Sequence, residues 1–151
     1  MSMVKKVMVA ADFSEHSQFT RDFAADTINT FNSEIVLLNV INSIEIKAVQ
    51  KVSEKLDTLS IEQYIKDQEK ERAEKMEQLV SDLKLDGIKY KIIIRHGVPF
   101  EEILKVINEE NIDLLMVGAK GRSKFADLFL NPTSEQIFRH CTIPVLNIPI
   151  K

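Results

Sequence analysis

Short apolar runs alternate along the chain with longer amphipathic stretches. Five runs rich in branched aliphatic residues stand out: Val4–Ala10, Ile35–Ile41, Lys89–Arg95, Asp113–Val117 and Ile143–Ile148. Such runs, separated by helix-length segments, are typical of a parallel sheet whose strands are connected by helices. The second and fourth runs are almost unbroken, which suits strands covered on both faces. The pattern therefore predicts an α/β fold with these two strands inside the sheet.

The segments between the runs carry helix signals. The stretch from Ser14 to Phe31 predicts a helix capped by Ser14. Its apolar side holds Phe19, Phe23, Ala24, Ile28 and Phe31. A second helix is predicted from Pro99, because proline fits a first helical turn and the carboxylates of Glu101 and Glu102 favour the positive end of the helix dipole. Its inward side holds Ile103, Leu104, Val106 and Ile107. A third start is indicated at Asn131-Pro132.

The stretch between residues 42 and 86 is long and strongly charged. From Lys51 to Asp86 it holds seven basic and ten acidic residues, which accounts for the net charge of −3 of the whole chain. Oppositely charged residues recur four positions apart, in the pairs Glu62/Lys66, Lys70/Glu74 and Glu71/Lys75. Apolar positions at helical spacing accompany them: Ile61, Ile65, Met76, Leu79 and Leu83. The pattern predicts a long solvated helix that covers the sheet, with a docking surface for a partner as the alternative.

Composition narrows the class of protein. With 151 residues, 44% of them hydrophobic, and no glycine- or serine-rich linker, we expect one domain over residues 1–151. The slight acidity argues against a general nucleic-acid-binding protein, and no apolar run reaches the length of a membrane span. The single cysteine, Cys141, excludes an internal disulfide and fits a reducing, cytoplasmic setting.

Two strand ends offer groups to a ligand, because an open parallel sheet binds ligands beyond the carboxyl ends of its strands. Asp12 follows the first run and is either a hydrogen-bond acceptor for ribose hydroxyls or a cap for the next helix. Val40 and Ile41 end the second run, where they would form an apolar wall for a flat base. For these two residues we favour core packing.

The loop from Gly118 to Lys124 is the third strand-end feature. Gly118 and Gly121 allow the backbone to approach a ligand closely, so that successive amides form a nest for an anion. Three basic side chains follow in the same loop: Lys120, Arg122 and Lys124. Phosphate is the natural occupant, although two glycines at this spacing also occur in ordinary turns.

No catalytic or metal-binding constellation is apparent in the sequence. His16, His96 and His140 have no partner at the spacing of a metal site or a catalytic triad, and no serine lies in a GxSxG turn. We interpret His16 and His140 as surface or capping residues and Cys141 as a small packing residue. We therefore expect no catalytic residues and no metal held by side chains.

Taken together, the motifs resemble the universal stress protein family over almost the whole chain. The resemblance rests on the stretches Val7–Ser17, Leu38–Ile41, His96–Ile103, Asp113–Gly118 and Phe138–Leu146. It implies a Rossmann-like, adenine-nucleotide-binding fold: an open five-stranded parallel sheet of order 3-2-1-4-5 with helices on both faces.

The same resemblance implies roles for particular residues. ATP-binding members of the family carry the signature G-x2-G-x9-G-[S/T] after the fourth strand. Carried over by position, Asp12 contacts ribose and Val40 contacts adenine. Gly118, Gly121 and Arg122 hold the phosphates. The nucleotide is ATP or a related adenine nucleotide, with Mg²⁺ or Mn²⁺ bound mainly through the nucleotide itself.

One part of the signature departs from the family. Nine residues after Gly121 the family's glycine is Asn131, and the serine or threonine that follows is Pro132. Asparagine tolerates positive φ, but proline supplies neither an amide donor nor a hydroxyl. Thr133 or Ser134 is placed to offer a hydroxyl to the phosphates instead. Losing one or two such contacts weakens ATP binding by about 10- to 1,000-fold.

The last apolar run predicts an edge strand and leaves open whether a second chain pairs with its free edge. Two prolines, Pro144 and Pro149, suit a sheet edge. The open edge at Ile143–Ile148 would pair with a second copy, or the prolines would protect a monomer. The resemblance implies a homodimer through this strand.

The function implied is a cytoplasmic, nucleotide-dependent stress-response switch with weak or absent ATPase activity, acting without nucleic acid or membrane. The alternative is a stress-response dimer that binds no nucleotide and acts through its charged segment, residues 42–86. A phosphoryl-transfer enzyme is a third, less favoured hypothesis.

Overall fold

The protein is described by a computed structural model that covers residues 3–11, 18–56, 60–85, 87–118 and 132–148; for residues 18–21 and 132–134 only the backbone is described. Within these ranges the chain forms five strands and five helices. In chain order they are β1 (Lys6–Ala10), α1 (Gln18–Phe31), β2 (Glu34–Asn42), α2 (Ser43–Ser53), α3 (Ile61–Leu83), β3 (Tyr90–Gly97), α4 (Pro99–Glu109), β4 (Leu114–Gly118), α5 (Pro132–His140) and β5 (Val145–Ile148).

The five strands form one parallel sheet in the order β3-β2-β1-β4-β5. In the centre, Val9 of β1 lies opposite Leu37 of β2 and Met116 of β4. The sheet confirms the predicted fold class and all five strands. It also confirms that the almost unbroken runs are the internal strands β2 and β4 and that β5, which has a proline on either side in the sequence, is an edge strand.

Side chains alternate between the two faces of the sheet, and each face is covered by helices. The first cluster of buried side chains lies between the sheet and helices α1 and α3; it includes Val7, Ala24, Ile28, Ile35, Leu37, Met76, Leu83, Leu114 and Met116. The second cluster lies between the sheet and helices α4 and α5; it includes Met8, Val36, Leu38, Ile103, Val106, Ile107, Leu115 and Ile137. The helices that follow the neighbouring strands β1 and β4 in the chain, α1 and α5, thus lie on opposite faces of the sheet.

The predicted helix starts at the two prolines are confirmed. Helix α4 begins at Pro99 and buries Ile103, Val106 and Ile107, as its pattern predicts. Helix α5 begins at Pro132. In both cases the missing amide of proline costs nothing within the helix, because the first helical amides have no partner there. Ser14, the predicted cap of the first helix, lies outside the described residues.

On the apolar side of α1, Ala24 and Ile28 are buried in the first cluster, whereas 43% of Phe23 is exposed. The predicted long charged helix is confirmed as α3, and α2 precedes it as a second helix of the same stretch. Asn42 caps α2 by accepting the N–H of Ile44 at 3.0 Å, and Ser60 caps α3 by accepting the N–H of Gln63 at 3.3 Å. The predicted ion pair Glu71/Lys75 is present at 3.3 Å.

Glu110 directly follows α4 and pairs with lysines at the amino ends of β1 and β3. Its carboxylate accepts hydrogen bonds from the ammonium groups of Lys91 at 2.6 Å and Lys6 at 3.1 Å. Nearby, Asp113 accepts the backbone N–H groups of Lys5 and Lys6 at 2.9 and 3.0 Å. The hydrogen bonds from Lys91, and then those from Lys6, hold the pKa of Glu110 below its usual range.

Replacing Glu110 with glutamine is expected to reduce stability at neutral pH by about 1 kcal/mol, because the two ion pairs are lost. A lowered pKa in the folded state stabilises the protein above the ordinary carboxyl pKa, and this contribution disappears as the pH falls below about 5. The variant and the parent protein should therefore converge in stability at acid pH in urea titrations. Glu109→Gln removes only the ion pair with Arg95 and is the control. It should change the pH dependence of stability at acid pH less. Parallel curves from pH 7 to pH 3 for Glu110→Gln would contradict the assignment.

Candidate functional site

The candidate site is the edge of the sheet at the carboxyl ends of β1, β2 and β4. Ala10 lies opposite Val117, so that β1 and β4 end side by side. The helices that follow these two strands in the chain, α1 and α5, lie on opposite faces of the sheet. This is the topological switch point at which open α/β sheets bind ligands.

The predicted site residues are only partly described by the structure. Gly118 ends β4 next to Ile148 of β5, as the resemblance requires. Pro132 and Thr133 form the first turn of α5. The other predicted residues, Asp12, Gly121, Arg122 and Asn131, lie outside the described residues, and so do the basic side chains of the loop. The structure thus places the ends of β1 and β4 side by side. In the sequence, β1 precedes Asp12 and β4 precedes the glycine loop.

Val40 lies near the carboxyl end of β2, next to Arg95 in β3. Its side chain is half-buried and packs against the second cluster, while Ile41 is completely buried. The structure confirms core packing for both residues. Val40 lies two residues before the carboxyl end of β2, the strand to whose end the resemblance assigns the adenine contact.

A buried polar side chain that the sequence analysis did not single out lies beside this edge. Asn39 is 1% exposed and occupies a position of β2 that faces α3. Its amide nitrogen donates to the backbone oxygen of Ala11 at 2.6 Å, and its amide oxygen accepts a hydrogen bond from Arg72 at 2.9 Å. A carbonyl only accepts and a guanidinium only donates, so these partners fix the orientation of the amide. The available signal was one asparagine inside an apolar run.

Arg72 connects Asn39 to the two helices of the charged stretch. The guanidinium of Arg72, in α3, donates to Asn39, to Gln68 at 3.2 Å and to Glu45 of α2 at 3.0 Å. The hydroxyl of Tyr64, also in α3, donates to the other oxygen of Glu45 at 2.7 Å. This hydrogen bond to Glu45, together with burial, raises the pKa of Tyr64. We call these five side chains the Asn39 network.

The remaining polar side chains that the structure describes are paired, exposed or packed. Glu102, in the first turn of α4, is buried but is paired with Lys105 at 3.1 Å. His96 and His140 are exposed, and Cys141 is half-buried against the second cluster, as expected of a packing residue. Across the described ranges no group of three His, Cys, Asp or Glu side chains is arranged to hold a metal ion. Nor does any helix in these ranges have the length and apolar character needed to cross a membrane.

Solved structures share this fold over the whole chain. The structure of MJ0577 is 29% identical and superposes with a TM-score of 0.75, covering 99% of this chain and 98% of that one. A universal stress protein in complex with cAMP, 19% identical, has a TM-score of 0.64 over 98% of both chains. The universal stress protein from Archaeoglobus fulgidus in complex with dAMP, 15% identical, has a TM-score of 0.59 over 100% of both chains.

Sequence comparisons agree with the structural ones. Universal stress protein MJ0577 of Methanocaldococcus jannaschii is 29% identical over 161 residues, which include 99% of this chain and 97% of the relative. The sequence pattern of the universal stress protein family matches residues 3–149. Motifs, strand order and family match coincide, and the chain belongs to the universal stress protein family.

Proposed function

We propose that this protein binds an adenine nucleotide, ATP or a close relative, in the crevice between the ends of β1 and β4. The observation that carries the proposal is the switch point itself: β1 and β4 end side by side, and β4 leads through Gly118 into a loop with glycine and basic residues. Proteins of the same fold in complex with cAMP and dAMP support the choice of an adenine ligand.

Each part of the nucleotide has proposed contacts in this chain. Asp12, one residue beyond Ala11, accepts hydrogen bonds from the ribose hydroxyls. The exposed part of Val40 packs on the adenine ring. The phosphates lie on the loop after β4 and on the first turn of α5; the residues proposed for them are Gly118, Gly121, Arg122, Asn131, Pro132 and Thr133.

A divalent cation, Mg²⁺ or Mn²⁺, would accompany the phosphates. The ion would be held mainly by phosphate oxygens and water. The protein residues then need only bind and orient the nucleotide. In the proposed cytoplasmic role, the signal is whether nucleotide is bound, and any ATP hydrolysis is slow.

The direct test is to identify what the purified protein holds. The protein is denatured, and the released small molecules are separated by chromatography and identified by mass spectrometry. Nucleotide-free protein is then titrated by calorimetry with AMP, ADP, ATP and cAMP, with and without Mg²⁺. Near-stoichiometric adenine nucleotide, or saturable binding below millimolar concentration, is the expected result. A protein that is purified empty and ignores millimolar Mg·ATP would refute the proposal.

The outer edge of β5 supports a second proposal, that the protein forms a homodimer through this strand. The N–H of Leu115 donates to the carbonyl of Pro144 at 3.0 Å, so the polar backbone groups of Pro144 point towards β4. Backbone groups of successive residues in a strand point to opposite sides, and those of Val145 and Asn147 therefore point away from the sheet. Phe138, on the neighbouring helix α5, is 66% exposed. Both features suit an interface with a second copy. If nucleotide binding fails, this dimer and its charged segment, residues 42–86, form the interaction module of the alternative function.

Asn147→Pro is expected to convert the dimer to a folded monomer, because proline removes the outward backbone N–H without touching the bonds to β4. Asn147→Ala keeps that N–H and is the matched control. Sedimentation equilibrium and circular dichroism would measure mass and fold together. A dimer that survives the proline substitution would exclude this edge as the interface.

A further inference from the structure

We propose that Asn39 and Arg72 are positioning residues for nucleotide binding, and that the Asn39 network couples the occupied site to helix α2. The inference rests on the proposed function and adds to it a route by which bound nucleotide changes a surface. The network begins at Ala11, whose carbonyl oxygen is the first acceptor. In the sequence, the next residue is Asp12, the proposed ribose contact.

The end of β1 is held to β2 by two hydrogen bonds, one at each polar backbone group of Ala11. The backbone N–H of Ala11 donates to the carbonyl of Leu38 at 2.9 Å, and the carbonyl of Ala11 accepts from Asn39 at 2.6 Å. Asn39 is fully buried, so no water replaces a lost partner there. The position of the Ala11 carbonyl, in the residue that precedes Asp12 in the sequence, therefore depends on Asn39.

Arg72 in turn fixes Asn39. Its guanidinium donates to acceptors on β2, α2 and α3 at once: Asn39, Glu45 and Gln68. A planar group with donors in a fixed fork serves three such acceptors, whereas the single ammonium group of lysine does not. The amide of Asn39 is thereby held in the orientation that donates to Ala11.

Helix α2 is the element most dependent on this network. It contributes no buried residue to either cluster, and most of its apolar side chains point outward; Ile44 is 73% exposed. Burial of apolar surface thus contributes little to its position. Its described polar contacts with α3 are those of Glu45 with Arg72 and Tyr64. A shift at Ala11 consequently reaches α2 through a continuous chain of hydrogen bonds.

Coupling of this kind is reciprocal. If bound nucleotide orders the end of β1, it also favours the arrangement in which α2 is held, and releasing α2 must weaken nucleotide binding. Couplings between sites in proteins commonly amount to changes of 5- to 150-fold in affinity, so an effect of about 10-fold is expected. The outward face of α2 would then differ between the empty and the occupied protein.

The test uses Arg72→Met, with Arg72→Lys as the conservative variant and Met76→Ala as the matched control. Met76 lies one turn further along α3 and is completely buried in the first cluster, but it takes no part in the network. The Kd for Mg·ATP is measured by calorimetry and stability by thermal unfolding. Arg72→Met should weaken binding by about 10-fold, beyond any change in Met76→Ala, and Arg72→Lys should be intermediate.

Hydrogen exchange of helix α2 separates coupling from a purely structural role. At saturating Mg·ATP, the parent protein and Met76→Ala should exchange more slowly in residues 43–53 than they do without nucleotide. Arg72→Met should show no such protection even when saturated. If Arg72→Met does not fold, Tyr64→Phe and Glu45→Gln replace it in the test. They are milder substitutions in the same network.

The outcomes distinguish the two proposals. A parent protein that binds no adenine nucleotide refutes the proposed function and the coupling together. A parent protein that binds Mg·ATP, with Arg72→Met equal to Met76→Ala in affinity and in protection of α2, refutes the coupling alone. Nucleotide-dependent protection of α2 that is lost only in the network variants establishes it.

Discussion

Replacing Gly121 with valine is expected to abolish stabilisation by ATP while leaving the fold intact. In the proposed site, the loop after β4 approaches the phosphates through its backbone amides, and glycine is the residue type that permits such an approach. A branched side chain disfavours the backbone conformations of an anion nest and fills the space that the phosphates need. Binding should fall by at least about 100-fold, which at millimolar Mg·ATP removes the ligand-dependent rise in melting temperature.

The matched control is the same substitution at the opposite edge of the sheet. Gly87, just before β3, has a φ of +75°, and a side chain there would meet no atom within 4 Å. Gly87→Val therefore strains the backbone without touching the candidate site, and it should lower the melting temperature while the ATP-dependent rise remains. An unchanged response to ATP in Gly121→Val would place the phosphates elsewhere.

The double substitution Asn131→Gly, Pro132→Ser is expected to strengthen ATP binding by about 10- to 1,000-fold. The structure places Pro132 at the first position of α5, where the helix begins with amides that have no intrahelical partner. Such a helix start attracts phosphate, but proline withholds one of these donors. Serine restores the amide and adds a hydroxyl, and glycine restores the family's turn residue. Calorimetric titration with Mg·ATP measures the gain.

Two further variants show how much of the gain in affinity comes from the restored amide and whether the gain is specific to α5. Pro132→Ala restores the amide without the hydroxyl, so its affinity should lie between those of the parent protein and the double variant. Pro99→Ser makes the same change at the start of α4, beside the far strand β3, and should leave affinity unchanged. If the double variant binds no better than the parent protein, Thr133 and the first turn of α5 already compensate for the departure from the family signature.

The strands and most helices were predictable because their signals are local. The five apolar runs correspond to the five strands, since each run has the length of a strand and is rich in branched aliphatic residues. Pro99 and Pro132 marked helix starts because proline fits a first turn better than a helix interior. The unbroken apolar character of β2 and β4 indicated burial on both faces, and the sheet order confirms it.

The structure differs from the sequence predictions where the pattern of apolar residues does not determine how side chains pack. Phe23 shares the apolar side of α1, yet only contact with the sheet selects which part of that side is buried. Helix α2 was not assigned separately because the whole stretch from residue 42 to residue 86 is charged and has a helical pattern. Asn39 was passed over because an asparagine in a strand has no functional meaning until its partners are known.

The sequence by itself determined the fold class, the family and the residues proposed to bind the nucleotide. These follow from the period of the apolar positions and from motifs whose residues are near one another in the chain. The tertiary structure alone decided that Ala11, Asn39, Glu45 and Arg72 form one connected network. Those contacts join residues up to 33 positions apart, and no local pattern encodes them. Hydrogen bonding in a buried site depends on which groups the fold brings together and on the absence of water there.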